Sequence, residues 1–361
     1  MAEAGRHPLT TFRAIFESKW HQPSVRWSFV AIGIDALVAT LTVHRVRAGV
    51  FLFSLVALLV LSSPAAQALQ IRDDRGVVVT LSAPPQRIVT LLPSLAETVC
   101  ELGQCQRLVG VDRYANWPAA VRKLPRVGGG LDPDIEAVLA LRPEVVLLAT
   151  SSRAAGRLEA LGIKVIALEP RSHADVRRVL VQVAQLLGLP AGEGERIWRQ
   201  IDNAVTEAAQ SVPLAARGAR VYFEVSSGPY AAGEASFIGE TLRRLGARNI
   251  VPAALGAFPK LNPEFVVRAD PDLIMIGDEN FTTLAGRPGW SAMRAVKDKR
   301  VCVFTPVQSD MAVRAGPRMV EGARLMADCL ARLAQPTEKA ALSASRAASG
   351  AAAPVKPAVQ Q

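Results

Sequence analysis

Histidine is nearly missing from this chain. Four occur in 361 residues, and only His173 lies beyond residue 68. A Ser-His-Asp triad or a His-rich metal centre needs imidazole at defined places, so neither can be assembled here without unusual partners. Catalytic and metal-ligating residues are both read as none. At the head of a helical stretch, His173 itself reads as a surface residue. Phosphate loops are missing too. Gly128-Gly129-Gly130 does not fit G-x-G-x-x-G, and no G-x-x-x-x-G-K-[ST] occurs, which argues against ATP and dinucleotide sites. No G-x-S-x-G elbow is present to carry a nucleophile. Dense basic runs are lacking as well. The net charge of +10 is spread over scattered arginines, so a solvated basic surface is expected and a nucleic-acid partner is not. Cysteine is scarce, with four residues and no zinc spacing. Cys100 and Cys105 flank a predicted helix end, where Gly103 could turn the chain enough for a bridge; the spacing leaves that pairing open. Cys302, in a strand run, and Cys329, in a helix, are expected as buried thiols.

What is present is a repeat. Glu97-Thr98-Val-Cys-Glu-Leu-Gly103 returns as Glu240-Thr241-Leu-Arg-Arg-Leu-Gly246, and Glu136-Ala-Val-Leu-Ala-Leu-Arg-Pro143-Glu144 returns as Glu264-Phe-Val-Val-Arg-Ala-Asp-Pro271-Asp272. The order is the same in both halves: strand, helix ending in Leu-Gly, loop, Glu-led helix, Pro-acid, buried strand. A long period occurring twice predicts two similar lobes with a cleft between them. Strand runs at 87–92, 108–111, 145–149 and 164–168 alternate with helical stretches, and the alternation restarts at 220–225, 273–277 and 300–304. Alternation of this kind implies parallel sheets with helical crossovers. The fold class is therefore α/β: two Rossmann-like lobes with mostly parallel sheets, joined by one long backbone helix. Gly188-Leu-Pro190 marks a kink or break within that connector. A last helix is expected over 312–333.

The ends read differently from the body. Arg45 and Arg47 precede an uncharged apolar run, Ala48 to Leu61, followed by Ser62-Ser-Pro-Ala-Ala-Gln-Ala68. At roughly fourteen residues the run falls short of the ~20 that span a bilayer. It matches a secretory signal peptide cleaved after Ala68. The expected organisation is an extension from start-site choice at 1–44, a signal peptide at 45–68, and an N-terminal lobe at 69–172. A helical connector at 173–211, a C-terminal lobe at 212–334 and a disordered Ala/Ser/Pro-rich tail at 335–361 follow. The first 68 residues carry six basic and three acidic residues, so cleavage leaves a charge near +7.

Loops after the strands of an open parallel sheet face the ligand crevice. Here they carry Ser94, Tyr114, Trp117 and Gly130 from the first lobe, and Tyr230, Phe258, Asp310 and Arg314 from the second. Aromatic residues make up only 5% of the chain, yet four sit in these loops, which suits a large, flat, partly apolar ligand.

Arg87-Ile-Val-Thr-Leu-Leu-Pro-Ser-Leu-Ala-Glu97-Thr, Val109-Gly-Val-Asp-Arg-Tyr114-Ala-Asn-Trp-Pro118 and Ile135-Glu136…Leu141-Arg-Pro-Glu-Val together resemble the periplasmic cobalamin-, haem- and siderophore-binding proteins of ABC importers. The likeness runs from about residue 85 to 333. It implies a monomeric carrier in the periplasm that catalyses nothing, takes no catalytic cofactor and hands its ligand to a permease dimer in the inner membrane. Glu136 and Glu264 then become the docking pair for permease arginines. Asp310-Met-Ala-Val-Arg314 looks like the Asp/Arg segment of the cobalamin branch, and Tyr114 and Phe258 match aromatic pocket positions. Gly130 and Ala149 stand where that branch carries tryptophans. The resemblance implies cobalamin or another corrinoid as ligand, with haem or a ferric siderophore as the alternative.

Overall fold

A computed structural model describes residues 68–226 and 228–334. The signal-peptide and extension readings, 1–68, fall outside it except for Ala68, and so does the 335–361 tail. The described chain opens with an antiparallel hairpin, β1 (Leu69–Arg72) and β2 (Val78–Leu81). The first lobe then runs β3 (Ile88–Thr90), α1 (Pro93–Glu101), β4 (Leu108–Val111), α2 (Ile135–Ala140), β5 (Val145–Leu148), α3 (Ala155–Ala160) and β6 (Val165–Ala167). Its four strands are all parallel in the order β4-β3-β5-β6.

Two helices follow, α4 (His173–Leu186) and α5 (Glu193–Ser211), packed against each other. The connector is thus a helix pair rather than one continuous rod, broken where Gly188-Leu-Pro190 predicts. Gly188 and Gly192 both adopt positive φ, which glycine tolerates and a helix does not. α4 packs on α1 and β1 of the first lobe, while α5 packs on elements of the second.

The second lobe contains β7 (Arg220–Ser226), β8 (Tyr230–Ala231), α6 (Phe237–Arg244), β9 (Arg248–Asn249), α7 (Pro263–Ala269), β10 (Leu273–Gly277), α8 (Asp278–Phe281), α9 (Arg294–Lys297) and β11 (Val301–Phe304). Its sheet runs β11-β10-β7-β8, with β9 beside β7, and only β8 is antiparallel. Two helices close the chain, α10 (Pro306–Val313) and α11 (Met319–Arg332). The single last helix expected over 312–333 is therefore divided. Pro317 disfavours helical backbone at Gly316, and Arg314 is extended, with φ −98° and ψ 114°.

Strand residues alternate between two cores. In β5, Val145 and Leu147 join a central cluster, while Val146 and Leu148 face an outer one. In β10, Leu273 and Met275 join the same central cluster, while Ile274 and Ile276 face a third. The central cluster takes residues from both sheets and from α4, α5 and α11. One apolar core thus continues beneath both lobes.

Both cysteine pairs are bridged, Cys100–Cys105 and Cys302–Cys329. The second corrects the expectation of two buried thiols. Cys302 on β11 points into the central core, and α11 folds back across the sheet and brings Cys329 to it. His173 corrects a second expectation, since it is buried at 3% exposure. Its Nε2 lies 2.8 Å from Thr241 Oγ1, and Arg244 approaches its Nδ1 at 3.2 Å.

Candidate functional site

The α10–α11 break sets Arg314 between the lobes. Its guanidinium donates to Glu97 Oε1 at 2.8 Å, to Asn116 Oδ1 at 2.9 Å and to the Tyr114 carbonyl at 2.9 Å. Asp310, one turn back, pairs with Arg314 at 2.9 Å and accepts from Asn116 Nδ2 at 2.6 Å. Arg314 is 8% exposed and Glu97 1%. Burial pushes the Glu97 carboxyl pKa up, against the pull of Arg314 and Arg318. Arg318 stacks its guanidinium 5.1 Å from the Trp117 ring centroid. Arg314, expected at the ligand, is seated in this floor, with its terminal nitrogens bonded to Glu97, Tyr114 and Asn116 of the first lobe and to Asp310. Ser94 lies beside it, buried at 5%, and a Cβ on Gly316 would stand 3.1 Å from Ser94 Cβ.

The loop over 112–117 rests on that floor. Asp112 Oδ1 accepts from the Tyr114 amide at 2.7 Å, and Arg126 donates to the carbonyls of Asp112 and Ala115. The backbone is held from both sides, yet the Tyr114 side chain is 63% exposed. Tyr230 and Phe258 of the second lobe are 41% and 42% exposed. Phe258 leans on Phe237 at 6.4 Å between ring centroids, and Lys260 Nζ stands 6.0 Å from the Tyr230 ring. Gly130 sits so close to the first sheet that a Cβ there would fall 2.7 Å from the Leu91 carbonyl oxygen. The loop passes directly over the strand ends, and glycine is what lets it.

The second lobe holds a cavity of about 310 Å³ where β7, β10 and β11 end. Its lining includes the carboxylates of Glu224, Asp278, Glu279 and Asp310, and no lysine or arginine. Glu224 is neutralised from behind by Arg287, bonded at 2.6 and 2.8 Å. Asp278 and Glu279 enter no ion pair among the described residues. Tyr114, Trp117, Tyr230 and Phe258 do not line this cavity. Asp278 and Glu279 escaped sequence reasoning, although an acidic pair directly after the buried run Leu-Ile-Met-Ile-Gly277 is a visible signal for a crevice loop.

Glu136 and Glu264 occupy equivalent places. Each is the second residue of its helix, behind an Asp134 or Asn262 N-cap whose side chain accepts a backbone amide. Both are exposed, and neither forms a salt bridge among the described residues.

Residues 88–307 match the family described as periplasmic binding protein. A Bacillus subtilis ABC transporter substrate-binding lipoprotein is 27% identical over 271 residues, 72% of this chain and 84% of that protein. A cobalamin-binding protein of Halobacterium salinarum is 30% identical over 213 residues, and the match covers 57% of each chain. Among solved structures, a periplasmic heme binding protein from Pseudomonas aeruginosa superposes with a TM-score of 0.61 at 26% identity, over 69% of this chain and 93% of that one.

Proposed function

This chain belongs to the periplasmic binding protein family, and from that premise we propose that it captures cobalamin or another corrinoid for an ABC permease. The substrate-binding role comes with the family. The choice of cargo rests on one observation, the carboxylates of Asp278 and Glu279, which enter no ion pair among the described residues and line a second-lobe cavity with no basic side chain in its described lining. Haem carries two propionates and many siderophores are polyanions, so both would meet like charge there. A corrinoid presents a rim of carboxamides, whose N–H groups donate to carboxylates, and its peripheral anionic charge is the single phosphodiester of a nucleotide loop rather than two carboxylates. Tyr114, Tyr230 and Phe258, outside that cavity, supply exposed aromatic surface for a large, partly apolar ligand. The alternative, haem or a ferric chelate, draws on the exposed phenols of Tyr114 and Tyr230, which can ligate iron.

In this reading the chain is exported behind a cleavable signal peptide over 45–68 and works as a monomer. It docks on the permease dimer through Glu136 and Glu264. A symmetric pair of unpartnered carboxylates on a basic protein suits an encounter that must form and dissolve quickly.

Calorimetric titration of the protein from Leu69 to Ala334 with cyanocobalamin and with haemin tests the cargo. One equivalent of cyanocobalamin should bind, and Asp278→Asn with Glu279→Gln should narrow its preference over haemin. A flat cyanocobalamin titration with a Soret band for haemin would overturn the corrinoid assignment.

A further inference from the structure

The repeated Glu-Thr pair does similar work in both lobes. Thr98 Oγ1 donates to the Ser94 carbonyl and Thr241 Oγ1 to the Phe237 carbonyl, each one turn back in its helix. The glutamate before each threonine reaches out of its own lobe. Glu97 accepts from Arg314 of the second lobe, and Glu240 accepts from the backbone amide of His173, at the head of the connector, at 2.9 Å. The repeat therefore marks two fasteners. Only the first also touches the loop that carries Tyr114.

We propose that Glu97 and Arg314 form a positioning clamp, through which the second lobe fixes the Tyr114–Trp117 loop for ligand. Arg314 spans the lobes with one guanidinium. Glu97 orients it, and its remaining donors hold the Tyr114 carbonyl and the Asn116 amide group. Asp310 closes the ring by bonding both Arg314 and Asn116. Two of these partners, the Tyr114 carbonyl and Asn116 Oδ1, lie in the loop, so the guanidinium holds the loop before any ligand arrives. Glu97 Oε2 and Arg318 Nε are buried with no protein hydrogen-bond partner among the described residues. Isolated pairs that serve stability alone are normally satisfied, and a cleft floor is where such a cost is retained for function. With its backbone held by Arg314, Asp112 and Arg126, Tyr114 can project into the cleft at 63% exposure without collapsing onto its own lobe. Preorganised contact surface of this kind raises affinity by removing the cost of ordering a loop on binding.

The proposal rests on Tyr114 meeting the ligand, and the experiment separates the two. Arg314→Met retains an apolar stem and removes every loop contact. Glu97→Gln keeps an acceptor and removes the charge. In ligand-free protein, amides 113–117 of Arg314→Met should exchange about tenfold faster or more, with other protected amides unchanged. Cyanocobalamin affinity should fall about tenfold or more at unchanged stoichiometry. Glu97→Gln should shift both in the same direction by less, and it reports alone if Arg314→Met does not fold. Arg220→Met serves as the control for a merely structural loss. Arg220 bonds the carbonyls of Ala269 and Asp270 at the start of β7, the opposite end of that strand from the cleft. Its removal should lower the melting temperature while loop exchange and affinity stay at wild-type values. Unchanged loop exchange in both clamp variants, or an equal affinity loss in Arg220→Met, overturns the clamp. If wild-type protein takes no cyanocobalamin, the cargo assignment fails while the exchange result still decides the clamp.

Discussion

Cys302 and Cys329 tie the last strand to the last helix across 27 residues, whereas Cys100 and Cys105 close a loop of only 5. The difference permits a quantitative test of what each bridge does. Cross-linking removes about 2.1 + 1.5R ln n cal/mol/K of entropy from the unfolded chain. For the longer loop this is about 12 cal/mol/K, or ~3.6 kcal/mol at 25 °C, and for the shorter one ~2.1 kcal/mol. The constant cancels in the comparison, leaving about 1.5 kcal/mol that depends only on loop length. Urea unfolding of Cys302→Ala/Cys329→Ala and of Cys100→Ala/Cys105→Ala, each against wild type, measures it. The first pair should lose more stability, and its midpoint by heating should fall by roughly 10 °C. Cys302 and Cys329 are 3% and 2% exposed, so deleting buried sulfur adds to the loss and widens the gap in the same direction. Equal losses, or a larger loss from the short loop, would refute the entropic account and place the effect in native packing.

Three further outcomes follow from the geometry. Glu136→Ala with Glu264→Ala should leave ligand affinity unchanged and lower uptake in cells, because both carboxylates are exposed and unpaired; loss of ligand binding would place them in the cleft instead. Burial holds the His173 pKa below its ordinary value of 6.5, with Glu240 raising it, Arg244 lowering it, and Asp202 and the Phe237 carbonyl raising it. Neutral in the fold and chargeable when unfolded, His173 contributes stability that is full above about pH 6.5 and is lost as pH falls from there toward its folded pKa. Urea midpoints between pH 7.5 and 5 should drop, and His173→Gln should flatten that slope. Gly130→Ala should cost about 1–3 kcal/mol in urea unfolding, since its Cβ would press on the Leu91 carbonyl rather than on a side chain that can swing away.

The parallel strands and the Glu-led helices were legible because their signals are local. Val145 to Leu148 is apolar on both faces, as a doubly covered parallel strand must be, and Asp134 and Asn262 announce the helices that carry Glu136 and Glu264. The hairpin of β1 and β2 was missed, since four residues alternating between exposed and buried resemble a linker. Asp278, Glu279 and the break at Gly316-Pro317 were missed despite local signals, whereas the contacts of Glu97 and His173 depend on partners distant in sequence. Glu97 meets Arg314 across 217 positions, and His173 meets Thr241 across 68. Nothing beside His173 says that α6 will lie over it, so a helix-start position reads as surface. Spacing sets Arg314 one turn from Asp310, but how many of its donors the first lobe takes is not encoded there.

The two glutamate pairs of the repeat act in opposite directions, and this bears on how the carrier selects cargo. Glu97 turns inward to fasten the lobes and Glu240 to fasten the second lobe to the connector, whereas Glu136 and Glu264 turn outward. A wide opening of the cleft would have to part a carboxylate–guanidinium pair that is almost wholly buried, and breaking such a pair while one charge stays buried costs about 3–5 kcal/mol. It would also have to divide the apolar core that runs beneath both sheets through α4, α5 and α11. Neither barrier is matched by a flexible hinge, because the connector is a packed helix pair. In the cargo site proposed above, discrimination then falls to the chemistry of fixed walls, aromatic on the loops and carboxylate at the ends of β7 and β10, rather than to closure around the ligand.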